Sequence, residues 1–227
     1  MTRSSPPATR RRAAKPNRTP IVVLAAVVAA VLIALGVALA VGGGSDDTAD
    51  NAGNGDPATT GTVTVSGEAL PEFADSANDP AVGMTLPTLD GHDQSGAPMT
   101  ISGDGRPTMI MFVAHWCPHC QREVPVVQQW VDDGRLPEGV DLVSVSTAID
   151  PSRPNYPPDA WLADEGWTAP VLVDAANSAA AAVGLSAYPF FVAIDGDGRV
   201  VLRASGELTT DQLDNIASSL AQGAPAQ

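Results

Sequence analysis

The chain has 227 residues, with 12 Lys and Arg against 26 Asp and Glu, for a formal net charge of −14. Half of the basic residues lie within the first 18 positions and every acidic residue follows position 41, so the bulk of the chain is unsuited to binding nucleic acid or anionic lipid. A chain of this size with only two cysteines has no disulfide framework, which assigns the cysteines to chemistry or to metal.

The first 41 residues have the pattern of a protein delivered to a membrane. Residues 1–20 are basic and lack apolar periodicity, which predicts a disordered cytoplasmic tail. Ile21–Val41 is a run of 21 residues without a charged or polar side chain, long enough to cross a bilayer as a transmembrane helix. The basic cluster precedes this run, so the rest of the chain is predicted to lie outside the cytoplasm. A second interpretation stays open, a signal peptide cleaved after Ala40 that would release the same domain.

A linker is predicted between this run and the folded domain. Residues 42–80 are rich in Gly, Asp, Asn, Thr and Ala and have few large apolar residues, a composition typical of a flexible acidic linker. Thr62–Val65 alternates in a way that fits a short strand. The folded domain is predicted over residues 81–222, followed by a tail at 223–227.

The hydrophobic pattern of the domain predicts alternating strands and helices with a hairpin near the end. Thr108–Ala114 is apolar almost throughout, as expected of a strand buried on both faces, and a helix begins at Pro118. The other predicted strands are Thr85–Leu89, Met99–Ile101, Val140–Thr147, Val171–Val173, Phe190–Ile194 and Val200–Leu202. The other predicted helices are Asp159–Glu165, which follows a proline-rich insert at Pro151–Pro158, Asn177–Val183, and a last helix capped by Thr209 or Thr210. This order predicts an α/β fold with a mixed β-sheet flanked by helices.

The two cysteines lie in Cys117-Pro118-His119-Cys120, between the buried strand and the helix that follows it. Thiol–disulfide exchange needs one thiolate that attacks and a second thiol that resolves the mixed disulfide. Because a helix N-terminus stabilises a thiolate, Cys117 is predicted to be the exposed attacking residue and Cys120 the more buried resolving residue. His119 is expected to favour the thiolate and to make the disulfide more oxidising. Trp116 is expected to cover one side of the site.

The same stretch has enough donors for a metal, since His115 and His119 accompany the cysteines and His92 adds a fifth donor. Structural zinc sites usually draw ligand pairs from separated loops, whereas His115 and Cys120 bound a window of six residues that does not converge easily on one ion. Zinc and an inert disulfide are therefore disfavoured, and no metal or other cofactor is predicted. For His115 the expectation is a partly exposed packing role.

Two stretches resemble one known family. Phe112–Pro125 is similar to the active-site stretch of membrane-anchored thioredoxin-like proteins of the TlpA/ResA type, including the acid at Glu123 and the proline at Pro125. Ala187–Val200 resembles the proline-containing strand and hairpin of the same family. The resemblance covers about residues 81–220.

This resemblance implies a thioredoxin-like fold in which Pro189 is a cis-proline facing the cysteines and the Tyr188 backbone is turned towards them, where a substrate strand can pair. Thioredoxin-like proteins often carry an acid or Asn where this chain has Met111, so the proton acceptor for the second cysteine is missing or supplied elsewhere. The Pro-His dipeptide is that of strongly oxidising DsbA-type proteins, whereas the TlpA/ResA group is mostly associated with reduction. The redox direction stays open.

The predicted function is extracytoplasmic thiol:disulfide exchange through Cys117 and Cys120. The expected partners are cysteine-containing exported proteins and a membrane redox partner, with the chain held at the membrane by Ile21–Val41. One alternative is a thiol-specific peroxidase of the AhpC/TSA type, although the hydroxyl residue that such sites place three positions before the attacking cysteine is here Ala114. A second alternative is a copper-delivery module, because thiolates suit copper(I).

Overall fold

A computed structural model describes residues 61–223. Its strands are β1 (Thr64–Ser66), β2 (Thr88–His92), β3 (Pro98–Ile101), β4 (Thr108–Val113), β5 (Asp141–Thr147), β6 (Val171–Asp174), β7 (Phe190–Ile194) and β8 (Val200–Ser205). Its helices are α1 (Pro118–Asp132), α2 (Pro158–Asp164), α3 (Ser178–Ala182) and α4 (Thr210–Gln222). No helix within this range combines the length and apolar character needed to cross a membrane.

Five strands form the predicted mixed sheet, in the order β6-β5-β4-β7-β8. β5 is parallel to both β4 and β6, whereas β7 is antiparallel to both β4 and β8. The hairpin between β7 and β8 is stabilised by the Asp195 carboxylate, which accepts the backbone N–H groups of Asp197 at 3.0 Å and Arg199 at 2.8 Å. This arrangement puts the end of β4 and the start of β7 side by side at one edge of the sheet.

The central strand β4 is buried along its whole length because both faces of the sheet are covered. Met109 and Met111 belong to one core cluster, which includes side chains from α1, α2 and α4. Ile110 and Phe112 belong to the other cluster, which includes α3 and the N-terminal strands. Covering both faces explains why this strand is a continuous apolar run rather than an alternating one.

The folded part begins earlier than predicted, and the prediction of a flexible linker is wrong for residues 61–80. These residues include β1, which joins β2 and β3 in a separate antiparallel sheet, and Val63, Leu70 and Phe73 are buried. Arg203 of β8 holds the segment, since its guanidinium donates to both carboxylate oxygens of Asp79, at 2.8 and 2.5 Å. The predicted basic tail, transmembrane run and first part of the linker, over residues 1–60, lie outside the described residues, as do 224–227.

The other boundaries differ from the predictions by a few residues. The largest displacement is in β2, which spans Thr88–His92 rather than Thr85–Leu89. Thr85 instead forms an isolated bridge with Arg199. The last helix is capped by Thr209, whose side chain accepts the Gln212 N–H at 3.3 Å while the Gln212 side chain accepts the Thr209 N–H at 2.8 Å.

Candidate active site

Cys117 occupies the N-cap of α1, at the point where the chain leaves β4. Its backbone is extended, with φ −78° and ψ 120°, and Pro118 follows in the first turn of the helix. The Cys117 carbonyl accepts the Gln121 N–H at 3.1 Å, so the helical hydrogen bonds begin at this residue. The Cys117 thiol therefore lies at the positive end of a 15-residue helix, where the first N–H groups have no intrahelical partners.

The two cysteines are free thiols that differ in burial. Cys120 is 0% exposed and Cys117 is 6% exposed. Cys120 is thus the more buried residue, as predicted, but the expectation that Cys117 is exposed is wrong. Trp116 and Tyr188 pack against the same core cluster as Cys117. Burial also raises the pKa of Cys120 well above its ordinary value.

Glu123 is a buried carboxyl group three residues after Cys120, a spacing that puts both side chains on the same side of α1. It is 2% exposed, and its Oε1 accepts the Leu208 N–H at 3.0 Å. Burial raises the pKa of Glu123 to about 7, against the smaller lowering effect of that hydrogen bond. Beyond the effect of burial, the charge of Glu123 contributes to the raised pKa of Cys120. Met111 is buried in β4 and supplies no acid, so Glu123 is the buried carboxyl group that couples to the second cysteine.

The Tyr188 backbone reaches Cys117 just before the start of β7. The Tyr188–Pro189 peptide bond is cis. Cys117 Sγ lies 3.8 Å from the Tyr188 carbonyl oxygen, within reach of a weak S–H···O hydrogen bond. The pKa of Tyr188 is raised, mainly by burial. The structure therefore brings together the Cys117 thiol and the Tyr188 backbone, which lie 71 residues apart in the sequence.

Trp116 lies beside Tyr188, and its predicted role of covering one side of the site stays a prediction. Its indole N–H donates to the Ala148 carbonyl at 2.7 Å, and its ring meets the Tyr188 ring edge to face, with the centroids 6.2 Å apart. The Arg153 guanidinium lies over the other part of the indole, with Cζ 4.2 Å from the ring centroid. Three side chains therefore form a continuous surface beside Cys117.

His119 projects to solvent and joins a charged cluster rather than packing on the sulfur. Its Nδ1 lies 2.7 Å from Glu207 Oε1 and 2.9 Å from Arg122 Nη2. Arg122 also donates to Glu207, with Nη2 2.5 Å from Oε1. Hydrogen bonds from Arg122 and His119 hold the pKa of Glu207 below its ordinary value. The effect of His119 on the Cys117 thiolate stays a prediction, and it acts together with these two neighbours.

His115 is fully buried, so the expectation that it is partly exposed is wrong. Its Nδ1 lies 2.7 Å from the Pro154 carbonyl oxygen, and its Nε2 lies 3.2 Å from the Asp150 backbone nitrogen. A carbonyl only accepts and a backbone N–H only donates, so the contacts fit a neutral imidazole with its proton on Nδ1. The His115 carbonyl also accepts from the side chains of Asn155 at 3.2 Å and Gln121 at 3.1 Å. The residue fastens the proline-rich insert to the cysteine motif.

Within residues 61–223, no three or more His, Cys, Asp or Glu side chains are grouped as a metal site would require. Ala114, at the position where a peroxidatic site would carry a hydroxyl, is fully buried.

The sequence reasoning missed three residues that contact the site, Arg122, Arg153 and Glu207, and it noted Glu123 only as a family match without giving it a role. Glu123 had a usable signal, because an acid at helical spacing after a buried cysteine must share its environment. Glu207 and Arg153 had none, since Glu207 contacts His119 across 88 positions and Arg153 meets Trp116 only because an irregular insert folds back on it.

Comparison with known proteins supports the assignment of the fold. The Redoxin family model matches residues 66–220. The thiol-disulfide oxidoreductase ResA of Bacillus thuringiensis (strain Al Hakam) is 24% identical over 116 residues, which are 51% of this chain and 64% of that protein. The match therefore spans just under two thirds of that relative's length.

Two solved structures share the fold. A thiol:disulfide interchange protein of the thioredoxin family from Chlorobium tepidum TLS aligns with a TM-score of 0.51 at 22% identity, over 63% of this chain and 99% of that one. An uncharacterized conserved protein from Geobacillus kaustophilus aligns with a TM-score of 0.57 at 21% identity, over 68% of this chain and 88% of that one. The domain is thioredoxin-like, as the sequence resemblance implied.

Proposed function

This chain belongs to the Redoxin family, and from that premise we propose that it exchanges disulfides with cysteine-containing proteins outside the cytoplasm, as a TlpA/ResA-type thiol:disulfide oxidoreductase. The observation that carries the proposal is the position of Cys117 at the N-terminus of α1, with its Sγ 3.8 Å from the Tyr188 carbonyl oxygen. Cys120 lies buried one turn further on. The similarity to a protein named thiol-disulfide oxidoreductase supports the same reading.

In the reducing direction, the Cys117 thiolate attacks one sulfur of a substrate disulfide. A bond forms between Cys117 Sγ and that sulfur, and the other substrate sulfur leaves as a thiolate. The Cys120 thiolate then attacks Cys117 Sγ, which releases the second substrate thiolate and closes the Cys117–Cys120 disulfide. Two electrons pass to the substrate, and the same steps in reverse would oxidise a substrate dithiol.

The second step needs a base, because burial raises the pKa of the Cys120 thiol and keeps it protonated near neutral pH. Glu123 is suited to the task, since its pKa of about 7 lets it hold or release a proton at working pH. We assign it the role of taking the Cys120 proton, in place of the acid that Met111 does not provide.

The direction of exchange depends on the charges around Cys117. A positive His119 would stabilise the thiolate and make the disulfide more oxidising. Glu207 contacts both His119 and Arg122 and offsets part of that positive charge. A reduction potential near −120 mV would make the chain a disulfide donor, and one near −270 mV a reductant.

The proposed setting is the outer face of the cell membrane, with Ile21–Val41 as a single-pass anchor and the domain extracytoplasmic. Cleavage after Ala40 would instead release the domain. The partners are exported proteins with cysteines and a membrane protein that resets the redox state of the pair. Protease treatment of intact cells would test the location, because an outer domain is degraded while a cytoplasmic control protein survives.

The central experiment equilibrates the full-length chain, purified in detergent, with glutathione buffers of graded redox potential. Trapping the thiols and separating the two forms should give a single two-electron transition, and the chain should catalyse the reduction or oxidation of a disulfide-bonded peptide. Cys117→Ser should abolish both. Catalysis that survives this substitution would overturn the proposal.

A second variant identifies the partners. In Cys120→Ser the resolving thiol is absent, so mixed disulfides with substrates should persist and be isolated from cells. The chain has only two cysteines, so every trapped partner must be attached to Cys117. Cys117→Ser serves as the matched control and should trap the same proteins only if the roles of the two cysteines are exchanged.

A further inference from the structure

The proline loop, residues 151–157 between β5 and α2, carries a charge to the rim of the cysteine site. His115 fastens the loop, since its ring contacts the Pro154 carbonyl oxygen at 2.7 Å and its own carbonyl accepts from the Asn155 side chain at 3.2 Å. The loop also packs on this residue through Tyr156, whose ring lies edge to face with the imidazole, with the centroids 6.0 Å apart. The loop is therefore held in place before any substrate binds, which lowers the entropy cost of binding to it.

Arg153 is the part of the proline loop that faces the site. Its guanidinium lies 4.2 Å from the centroid of the Trp116 ring, a cation–π contact that orients the side chain. Within residues 61–223 the Arg153 side chain makes no ion pair and no hydrogen bond. The other five arginines of that range each make at least one; they are Arg106, Arg122, Arg135, Arg199 and Arg203. The guanidinium donors of Arg153 are thus directed to solvent.

The Arg153 guanidinium is connected to the reactive sulfur by a continuous surface. The Trp116 ring below it meets the Tyr188 ring at 6.2 Å between centroids, and the Tyr188 carbonyl oxygen lies 3.8 Å from Cys117 Sγ. An extended peptide rises about 3.3 Å per residue. A substrate segment with its cysteine at Cys117 and its backbone along Tyr188 would bring a neighbouring side chain to Arg153 after about two to four residues.

The negative charge of the rest of the domain makes Arg153 selective for acidic side chains of a substrate. Residues 61–223 contain 22 acidic residues and six arginines, and most of those arginines are paired with a carboxylate. A substrate carboxylate would be repelled over most of the surface but attracted at the rim of the site. There the Arg153 guanidinium, which interacts with the charge of Asp150 but forms no ion pair with it, can bind the carboxylate in a two-pronged contact.

We propose that Arg153, stacked on Trp116 and held by the proline loop, is a docking residue for substrates that carry an Asp or Glu two to four residues from the reacting cysteine. The inference rests on the proposed function, because it describes how the same site selects its protein substrates. Arg153 acts on binding and leaves the chemistry at Cys117 to the cysteine pair.

The test uses the reduced full-length chain in detergent and symmetric disulfide-linked dimers of a short peptide with one cysteine. Glu, Gln or Lys is placed in turn at each position from four before to four after that cysteine. In each reaction the cysteine pair becomes a disulfide and two peptide thiols are released, which are counted chromatographically after acid quenching. Each chain reacts once, so the measured quantity is the second-order rate constant of this reaction. At the best position and low salt, we expect it to be about three- to tenfold higher for Glu than for Lys, and salt near 0.5 M should abolish the difference.

Arg153→Gln should bring this ratio close to one, chiefly by lowering the rate constant for the Glu peptide. Arg153→Lys should retain part of the preference for the Glu peptide, since it keeps the positive charge but loses the paired N–H donors that bind both oxygens of a carboxylate. The matched control is Arg199→Gln, which removes an arginine from the hairpin at the far end of β7 and should leave the preference intact.

Two results would overturn the inference: a Glu preference that survives in Arg153→Gln, or an equal fall in the rates of all three peptides in that variant, which would mark a purely structural role. A wild-type chain that reduces the peptides without any preference would also overturn it, while leaving the proposed function in place. If the wild-type chain reduces none of the peptides, both the proposed function and this inference fail.

Discussion

Two buried carboxyl groups, Asp79 and Glu123, show how differently the two ends of this domain use the same chemistry. Asp79 lies in the N-terminal segment against Arg203, and their side chains are 1% and 0% exposed. Glu123 lies in α1 beside Cys120 and is 2% exposed, but its hydrogen-bond donor is a neutral backbone N–H. One carboxyl group is buried with a cation and the other is buried without one.

The partner determines the state of each acid. Burial alone would raise the pKa of Asp79, but hydrogen bonds from Arg203 and from the Ala81 N–H bring it below its ordinary value. At Glu123 burial dominates and the pKa rises to about 7. Asp79 is therefore a permanent anion that fixes a chain segment, whereas Glu123 can exchange a proton near neutral pH next to a redox-active thiol.

The largest expected effect comes from removing the cation from the first site. Arg203→Met should lower the free energy of unfolding by about 3–5 kcal/mol at pH 7, because it leaves a buried carboxylate without its partner. Urea unfolding of the full-length chain in detergent would measure it. In this variant Asp79 would be buried without a cation, as Glu123 is. Part of the lost stability should therefore return as the pH falls and Asp79 takes up a proton.

A second variant distinguishes the pair from the packing of the arginine side chain. The double change Arg203→Met with Asp79→Asn removes both charges and should be more stable than Arg203→Met alone. Arg199→Met, at an exposed position, should leave the unfolding free energy nearly unchanged. A loss of less than about 1 kcal/mol in Arg203→Met would contradict the view that this ion pair holds residues 61–80 on the domain.

The next largest effect is a gain in stability, expected when Glu123 is replaced. In the folded chain Glu123 has a pKa of about 7, compared with an ordinary value of 4.5, so between these pH values the folded state binds a proton that the unfolded state does not. The free energy of unfolding therefore falls as the pH rises from about 4.5 to about 7, by about 3 kcal/mol from this group. Glu123→Gln keeps an acceptor for the Leu208 N–H but cannot ionise, so it should be more stable than wild type at pH 8 by about 2–3 kcal/mol.

The same substitution should impair function, which a purely structural acid would not. Without a proton acceptor, the attack of Cys120 on the mixed disulfide at pH 7 should slow by about tenfold or more, as measured by rapid quenching of a reaction with a peptide disulfide. Glu138→Gln, an exposed glutamate on the loop after α1, is the matched control and should change neither quantity. If Glu123→Gln is no more stable at pH 8, the carboxyl group is already hydrated or paired and the contrast with Asp79 disappears.

The difference between the two regions also explains what the sequence could predict. The unit from β4 to α1 was predictable because its signals are local: an apolar run, a proline in the first helical turn and two cysteines at fixed spacing. In the sheet of β1, β2 and β3, the strands β1 and β3 overlap the predicted Thr62–Val65 and Met99–Ile101. The position of β2 was not predictable, since Asp90 and Gly91 have low strand propensity and β2 is held by pairing with β3. Likewise Val63, Leu70 and Phe73 are too widely spaced among polar residues to give a periodic signal.

The residues of the site also fall into those that the sequence could predict and those that it could not. Cys117, Cys120, Trp116 and His119 lie in one short stretch, and Pro189 was placed through a family resemblance. Glu207 could not be found, because the contact between it and His119 joins positions 88 apart and depends on how the loop after β8 returns to α1. The sequence analysis also failed to predict that Cys117 and His115 are buried. The degree to which Cys117 and His115 are covered depends on Tyr188 and on the insert at residues 151–157, which no local pattern places over the motif.

The smallest expected effect concerns a third carboxyl group, Glu207. Unlike Asp79 and Glu123 it is exposed to solvent, and like Asp79 it is paired with a cation. Glu207→Gln should leave the unfolding free energy nearly unchanged, yet it removes the counter-ion of Arg122 beside Cys117. The added positive charge favours the thiolate and stabilises the reduced form, so the reduction potential should rise by about 5–20 mV at low salt and by less at high salt. Asp214→Asn is the matched control, since Asp214 is a partly exposed carboxylate paired with Arg135 and its removal should leave the potential unchanged. A fall in potential for Glu207→Gln, or an equal rise for Asp214→Asn, would show that this cluster does not act on the cysteine pair.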